Sequence, residues 1–305
     1  MTKKERLELE KEKKELLKQM EDIYSGILFN NQEFVSNYNA DIVYSFDCVE
    51  FKELVEKYKL DEIAGTGSSF IKSKRLLHYL APKLTHSSWY DNHIECNALK
   101  LLEYSLNNPE HGINCLNKSK ILEECCLALG IYARRVGIMP FSPYDFDNHV
   151  VTEIYDEKLK KWIMLDPTTD GYFIDENKTP LSLLEIRDKF ANNEFVTFIN
   201  SNKRVMNLHK LREENLETNY YICKNLFYFS IDKESKFGPS SEQLLFCPIN
   251  YSFINNRIAN TKYRINSMPE EYKDWIKEYE KVLVNLEKTS EPLKANILGM
   301  KKRPY

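Results

Sequence analysis

The feature that most constrains this chain is a change of hydrophobic period at Gly130. Upstream, Leu116, Ile121, Leu122, Cys125, Cys126 and Leu129 mark a compact helix over 115–129, and Gly130 suits its C-terminal stop. Downstream the period becomes two. Residues 149–155 and 160–166 read as strands, joined by Asp156-Glu157-Lys158-Leu159, a loop of hairpin length. Helix and sheet are therefore neighbours along this chain.

Other segments are read in the same way. Leu9, Leu16, Met20, Ile23 and Ile27 predict one long helix over 2–28. The expectation is a helix packed on its own body; the alternative is a coiled-coil contact with a partner through this N-terminal segment. Helical patterns recur within 50–82, near 92–106, over 179–190 and over 269–288. Residues 219–230 and 243–254, rich in Tyr, Phe and Ile, read as strands. No internal repeat is visible.

Composition excludes several classes. Of 305 residues, 42% are hydrophobic and 29% charged, as in a globular protein. The net charge of −3 provides no field for nucleic acid, and Lys301-Lys302-Arg303 reads as a solvated tail. No run of 18 apolar residues marks a membrane span. The charged N-terminus lacks the apolar centre of a signal peptide, so a cytoplasmic location is expected. Seven cysteines, odd in number and irregularly spaced, argue against a disulfide framework.

One cysteine differs from the others by position. Cys115 stands where a loop enters a helix, after His111-Gly112-Ile113-Asn114. A helix start presents unpaired N–H groups and the positive end of the macrodipole, which favour thiolate over thiol. The same N–H groups can receive an oxyanion formed by attack on an acyl carbon. Cys125 and Cys126 read as core, and Cys48, Cys96, Cys223 and Cys247 have no such context.

A base and an orienting acid follow from the hairpin. With Tyr155 facing Lys160, His149 falls opposite Asp166 on one sheet face, within reach of an imidazole–carboxylate hydrogen bond. A slip of one residue would separate them. Read singly, His149 is a satisfied core or surface histidine and Asp166 a turn residue before Pro167. Read together with Cys115, they make a nucleophile, its base and the group that orients the base. Such a set attacks a peptide or carboxamide carbonyl, passes through a thioester, and yields the acyl group to water or an amine.

These residues also resemble a family. Gly112-Ile113-Asn114-Cys115, then Gly130-Ile131-Tyr132-Ala133-Arg134-Arg135-Val136, His149 to Tyr155, and Trp162-Ile163-Met164-Leu165-Asp166-Pro167-Thr168 are similar to motifs of the transglutaminase-like superfamily, in the same order. The spacing of Cys115 and His149 is nearer to bacterial members than to calcium-dependent animal enzymes. The resemblance implies an α+β, papain-like core in which the cysteine helix packs on an antiparallel sheet. It implies Cys115, His149 and Asp166 as catalytic residues and Arg134 and Trp162 as structural ones. Trp89 and Asn114 are candidates for completing the oxyanion hole. Val151 stands where the family often has Trp, so an aromatic wall beside the histidine is missing from that position. The expected organisation is an N-terminal helical extension over 1–85, a catalytic core over 86–200, and strands and a helix over 201–305 packing on it.

Two other classes compete with this reading. His93, Cys96, His111 and Cys115 could form a metal cluster, but the usual Cys-x-x-Cys or His-x-x-x-His spacing is absent. A non-catalytic protein-binding module on the same fold is the alternative function. The preferred expectation is a thiol acyl-transfer enzyme acting on a protein or peptide substrate, without cofactor, with hydrolysis favoured over transamidation because no calcium loop is recognisable.

Overall fold

A computed structural model describes residues 2–201, 207–239 and 242–304. The first third holds α1 (Lys3–Phe29), β1 (Val43–Tyr44), α2 (Val49–Tyr58), α3 (Leu60–Ala64), α4 (Ser69–Leu80) and α5 (Ala98–Asn107). The middle holds α6 (Cys115–Ala128), β2 (Ala133–Met139), β3 (His149–Asp156), β4 (Lys161–Leu165), β5 (Gly171–Ile174), α7 (Leu183–Ala191) and β6 (Thr197–Asn200). There follow α8 (Leu208–Glu214), α9 (Leu216–Asn225), β7 (Tyr228–Asp232), β8 (Glu234–Ser235), β9 (Gln243–Phe246), α10 (Phe253–Ser267), α11 (Lys273–Leu286) and α12 (Leu298–Lys301).

The fold is α+β, built on an antiparallel sheet of order β4-β3-β2-β7-β9. Strand β3 is buried along its whole length. Alternate residues feed two apolar cores. Ile154, Ile163 and Leu165 join Ile121, Leu122, Cys125 and Cys126 of α6 in one. Val151 and Met164 join Phe229 of β7 and Ile222 of α9 in the other. Strands β7 and β9 come from the last part of the chain and complete the sheet beside β2.

Helix α6 is enclosed on all sides: every residue from Asn117 to Leu127 is buried. Gly130 ends it with φ +72°, its N–H on Leu127 O and that of Ile131 on Cys126 O, a Schellman motif. Its charged residues are buried with their partners. Lys120 Nζ lies 3.0 Å from Glu123 Oε2 and 3.2 Å from Glu124 Oε1, and also donates to Lys236 O at 2.8 Å. Glu124 accepts from the N–H groups of Ala98 and Gly238. Burial still pushes the Glu124 carboxyl up, to about 7, against the pull of Lys120.

The structure corrects the expected hairpin register. Tyr155 faces Trp162, not Lys160, and Asp156 pairs with Lys161. The loop still has four residues but begins one position later. Asp156 causes this, because its carboxylate accepts the N–H groups of Leu159 and Phe70, and Lys160 closes the turn with φ +55°. His149 and Asp166 are thus not directly opposed. The slip is by two in pairing, so they keep the same face and become diagonal neighbours.

Other expectations change as well. Residues 219–230 are not one strand: α9 occupies 216–225 and only 228–232 is extended. The density of Tyr and Phe suggested sheet, but Leu216, Asn219, Ile222 and Cys223 are buried at helical spacing. Of 243–254, only β9 is strand, and α10 begins at Phe253. The helix near 92–106 starts at Ala98, where Asn97 caps it. Helix α1 packs on α7 and α9 through Glu21, Ser25 and Leu28, while Leu9, Leu16 and Ile23 of the expected stripe face outward. The chain after α12 is not simply solvated: Lys302 O accepts from Trp162 Nε1 at 2.9 Å.

Candidate active site

Cys115 opens α6, and three asparagines fix that opening. Asn114 is the N-cap: its side chain accepts from Asn117 N at 3.2 Å and donates to Asn92 Oδ1 at 3.0 Å. Asn117 Nδ2 donates to Asn92 Oδ1 at 2.8 Å and to Asn114 Oδ1 at 2.9 Å. The residues just before are held by a parallel pairing with 85–87. Ile113 N donates to Thr85 O at 3.0 Å, and Ser87 N to Ile113 O at 3.1 Å. Gly112 makes this approach feasible, since a Cβ there would lie 2.6 Å from the carbonyl carbon of His86. The Gly-Ile-Asn-Cys run therefore sets where the thiol stands.

Helix α6 is fastened to the histidine strand one turn below the thiol. Ser119 Oγ donates to Val150 O at 2.8 Å, and Thr152 Oγ1 donates to Ser119 O at 3.1 Å. These bonds bring Cys115 and His149 side by side, close enough for the thiol to act on the charge of the ring. His149 Nε2 lies 3.0 Å from Asp166 Oδ2, which leaves Nδ1 as the nitrogen for the thiol. His149 is 3% exposed and Asp166 1%, while Cys115 keeps a half-buried position.

Asp166 is held in its turn. Its carboxylate accepts from Thr168 N at 2.8 Å and from Thr169 Oγ1 at 2.7 Å. Its backbone pairs with Gly171, where a Cβ would lie 2.4 Å from Ile199 O. Burial raises the carboxyl pKa, but His149, Thr169 and the Thr168 N–H outweigh it and leave Asp166 below its ordinary value. For His149, burial works against the charged ring. The carboxylate of Asp166 and the Cys115 side chain overcome it and lift the pKa to about 10. A charged ring between two acidic groups is the form this geometry favours.

The structure adds neighbours that the sequence did not reveal. The Tyr221 ring of α9 meets His149 edge-on, with centroids 5.4 Å apart, and its hydroxyl donates to Asp147 Oδ1 at 3.0 Å. It supplies the aromatic contact that Val151 does not. Only a correct helix over 216–225 would have pointed to it. Lys118, 2% exposed, interacts with Cys115 and Asp166, and burial holds its pKa below the ordinary value. Burial, then Lys118 and His149, likewise hold His86 low.

The remaining expected residues fall in different places. Trp89, a candidate for the oxyanion hole, is 95% exposed. Asn114 uses its amide in the cap just described. Arg134 and Trp162 meet away from the thiol: the guanidinium lies 3.9 Å from the indole centroid and donates to Glu153 and to Met300 O. Cys96 instead accepts from Arg135 Nη1, and His93 pairs with Asp91. Among the described residues, no three His, Cys, Asp or Glu side chains converge in a metal-holding group. No helix of the described residues is long and apolar enough to cross a membrane.

No protein-family model and no curated protein matches the chain. Among solved structures, a protein from Cytophaga hutchinsonii provisionally named a cysteine protease aligns with 73% of this chain and 62% of its own, at 14% identity and a TM-score of 0.31. The chain thus spans under two thirds of that protein's length. A likeness at this level leaves the site to be read from its own geometry.

Proposed function

We propose that the protein is a thiol-dependent enzyme that cleaves peptide or carboxamide bonds through an acyl thioester on Cys115. The observation that carries this reading is the buried His149 ring, hydrogen-bonded to Asp166 on one side and beside Cys115 at a helix start on the other. A transglutaminase-like, papain-like core is the corresponding fold reading, supported by α6 packed on β2 and β3.

The steps follow from the groups. Cys115 as thiolate adds to the carbonyl carbon, and the oxyanion meets N–H groups left free at the start of α6. The charged His149 ring gives its proton to the leaving amine as the C–N bond breaks. Neutral His149 then takes a proton from water, whose oxygen displaces the thiol and releases a carboxylic acid. Asp166 keeps the ring oriented and supports its charge throughout. Water is the favoured acceptor, so the reaction is a hydrolysis.

An acyl-transfer probe that leaves a stable adduct on a thiol tests the assignment. The wild-type protein is expected to label at Cys115 and Cys115→Ala to remain unlabelled. Equal labelling of the two would overturn it.

A further inference from the structure

Among the described residues four lysines are buried: Lys118, Lys120, Lys224 and Lys294. Three meet oxygen atoms. Lys120 has Glu123, Glu124 and Lys236 O; Lys224 has Asp145 and Asp147 O; Lys294 has Tyr251 O and Glu291. Lys118 has neither an ion pair nor an ammonium hydrogen bond among the described residues. An ammonium carries three donors, and burying them unused is expensive.

Its position says what the donors face. Lys118 follows Cys115 by three on α6, so the two share one helix face. Helical side chains lean toward the N-terminus, which carries Lys118 back over the turn that bears the thiol. Its charge acts on Cys115, Asp166 and His86, all members of the site. Asp166 does not take the ammonium as a partner, because its oxygens serve His149, Thr168 and Thr169. Nor is Nζ one of the sealed polar atoms left without a partner, so the little surface Lys118 keeps includes its ammonium.

We propose that Lys118 is an anion subsite beside Cys115, receiving a carboxylate that the substrate carries next to the scissile amide. This rests on the reading of Cys115 as the nucleophile. The carboxylate belongs either to the acyl residue's side chain or to the free C-terminus of the leaving residue; the chemistry at the ammonium is the same.

The test uses two alkylating agents of one size, iodoacetate and iodoacetamide. Rates at Cys115 are read from its peptide by mass spectrometry and referred to a small-molecule thiol. Relative to that thiol, the wild type is expected to favour iodoacetate. Lys118→Met should lower the iodoacetate-to-iodoacetamide ratio roughly tenfold, the scale of one hydrogen bond to a charged group, and Lys118→Arg should keep most of it. An unchanged ratio in Lys118→Met overturns the subsite while leaving the nucleophile standing. Reaction with iodoacetamide no faster than the small thiol takes down both readings. Lys118→Gln is the second variant if Lys118→Met does not fold. Peptide pairs separate the two sources: Glu against Gln on the acyl side, free acid against amide on the leaving side. A preference for acid in either pair, lost in Lys118→Met, supports the subsite; equal turnover in both pairs overturns it.

Discussion

The first turn of α6 and the two turns after it solve opposite problems with similar residues. Lys120, Glu123 and Glu124 are 0% exposed, and each has partners from the helix or from distant segments. Cys115 and Lys118 begin the same helix, yet the thiol is half-buried and the ammonium is unpaired among the described residues. The difference separates two uses of buried charge. Saturated charge fixes how the helix sits in the body. Unsaturated charge leaves binding capacity beside the thiol.

The largest expected effect tests the first turn. His149→Ala should slow thioester formation by about 10²–10⁴-fold, read as single-turnover labelling of Cys115. Lys120→Met breaks the other side of the contrast. It strands two buried carboxylates and is expected to destabilise by about 3–5 kcal/mol in denaturant unfolding. Lys118→Met strands no partner and should unfold near the wild-type midpoint. Equal losses in the two variants would erase the distinction between saturated and unsaturated charge.

Gly112→Ala should cost about 1–3 kcal/mol, because its Cβ meets backbone rather than a movable side chain. It should also lower the labelling rate by shifting the start of α6. Ser119→Ala removes one bond to Val150 O, with an expected loss of about 1 kcal/mol.

The pH dependence sharpens the contrast further. His149 is raised from 6.5 to about 10. Its contribution to stability is complete below 6.5 and is lost as pH rises through about 10. Amide cleavage needs the same proton and should fall over that alkaline limb. Glu124 is raised from 4.5 to about 7, so its contribution is complete below 4.5 and lost as pH rises through about 7. The Tm advantage of wild type over Glu124→Gln should therefore shrink between pH 4.5 and 7, while that over His149→Gln should shrink between pH 6.5 and 10.

Local signals were the legible ones. The helix start at Cys115, its Gly130 stop and the shared face of His149 and Asp166 follow from residues close in sequence. The exact register did not, because Asp156 takes its second backbone donor from Phe70, far upstream. Tyr221 is not legible in the sequence because its aromatic neighbours mimic a strand, and helix α9 is stabilised by packing against α1. Lys118 and Lys120 differ already in the sequence: Lys120 has Glu123 and Glu124 three and four places on, where Lys118 has Ile121 and Leu122. What the sequence hides is the third partner of Lys120, the distant Lys236 O.

The bonds from Arg134 to Met300 O and from Trp162 to Lys302 O have a consequence for assembly order. Helix α6 and strands β2 to β4 are consecutive, so the nucleophile, base and acid can gather through short-range contacts. The brace behind them closes only when the segment around residue 300 arrives, at a loop-closure cost greater by about 1–2 kcal/mol. A growing chain would then hold its reactive trio in rough alignment before the sheet is locked. Full reactivity should emerge as one of the last events of folding.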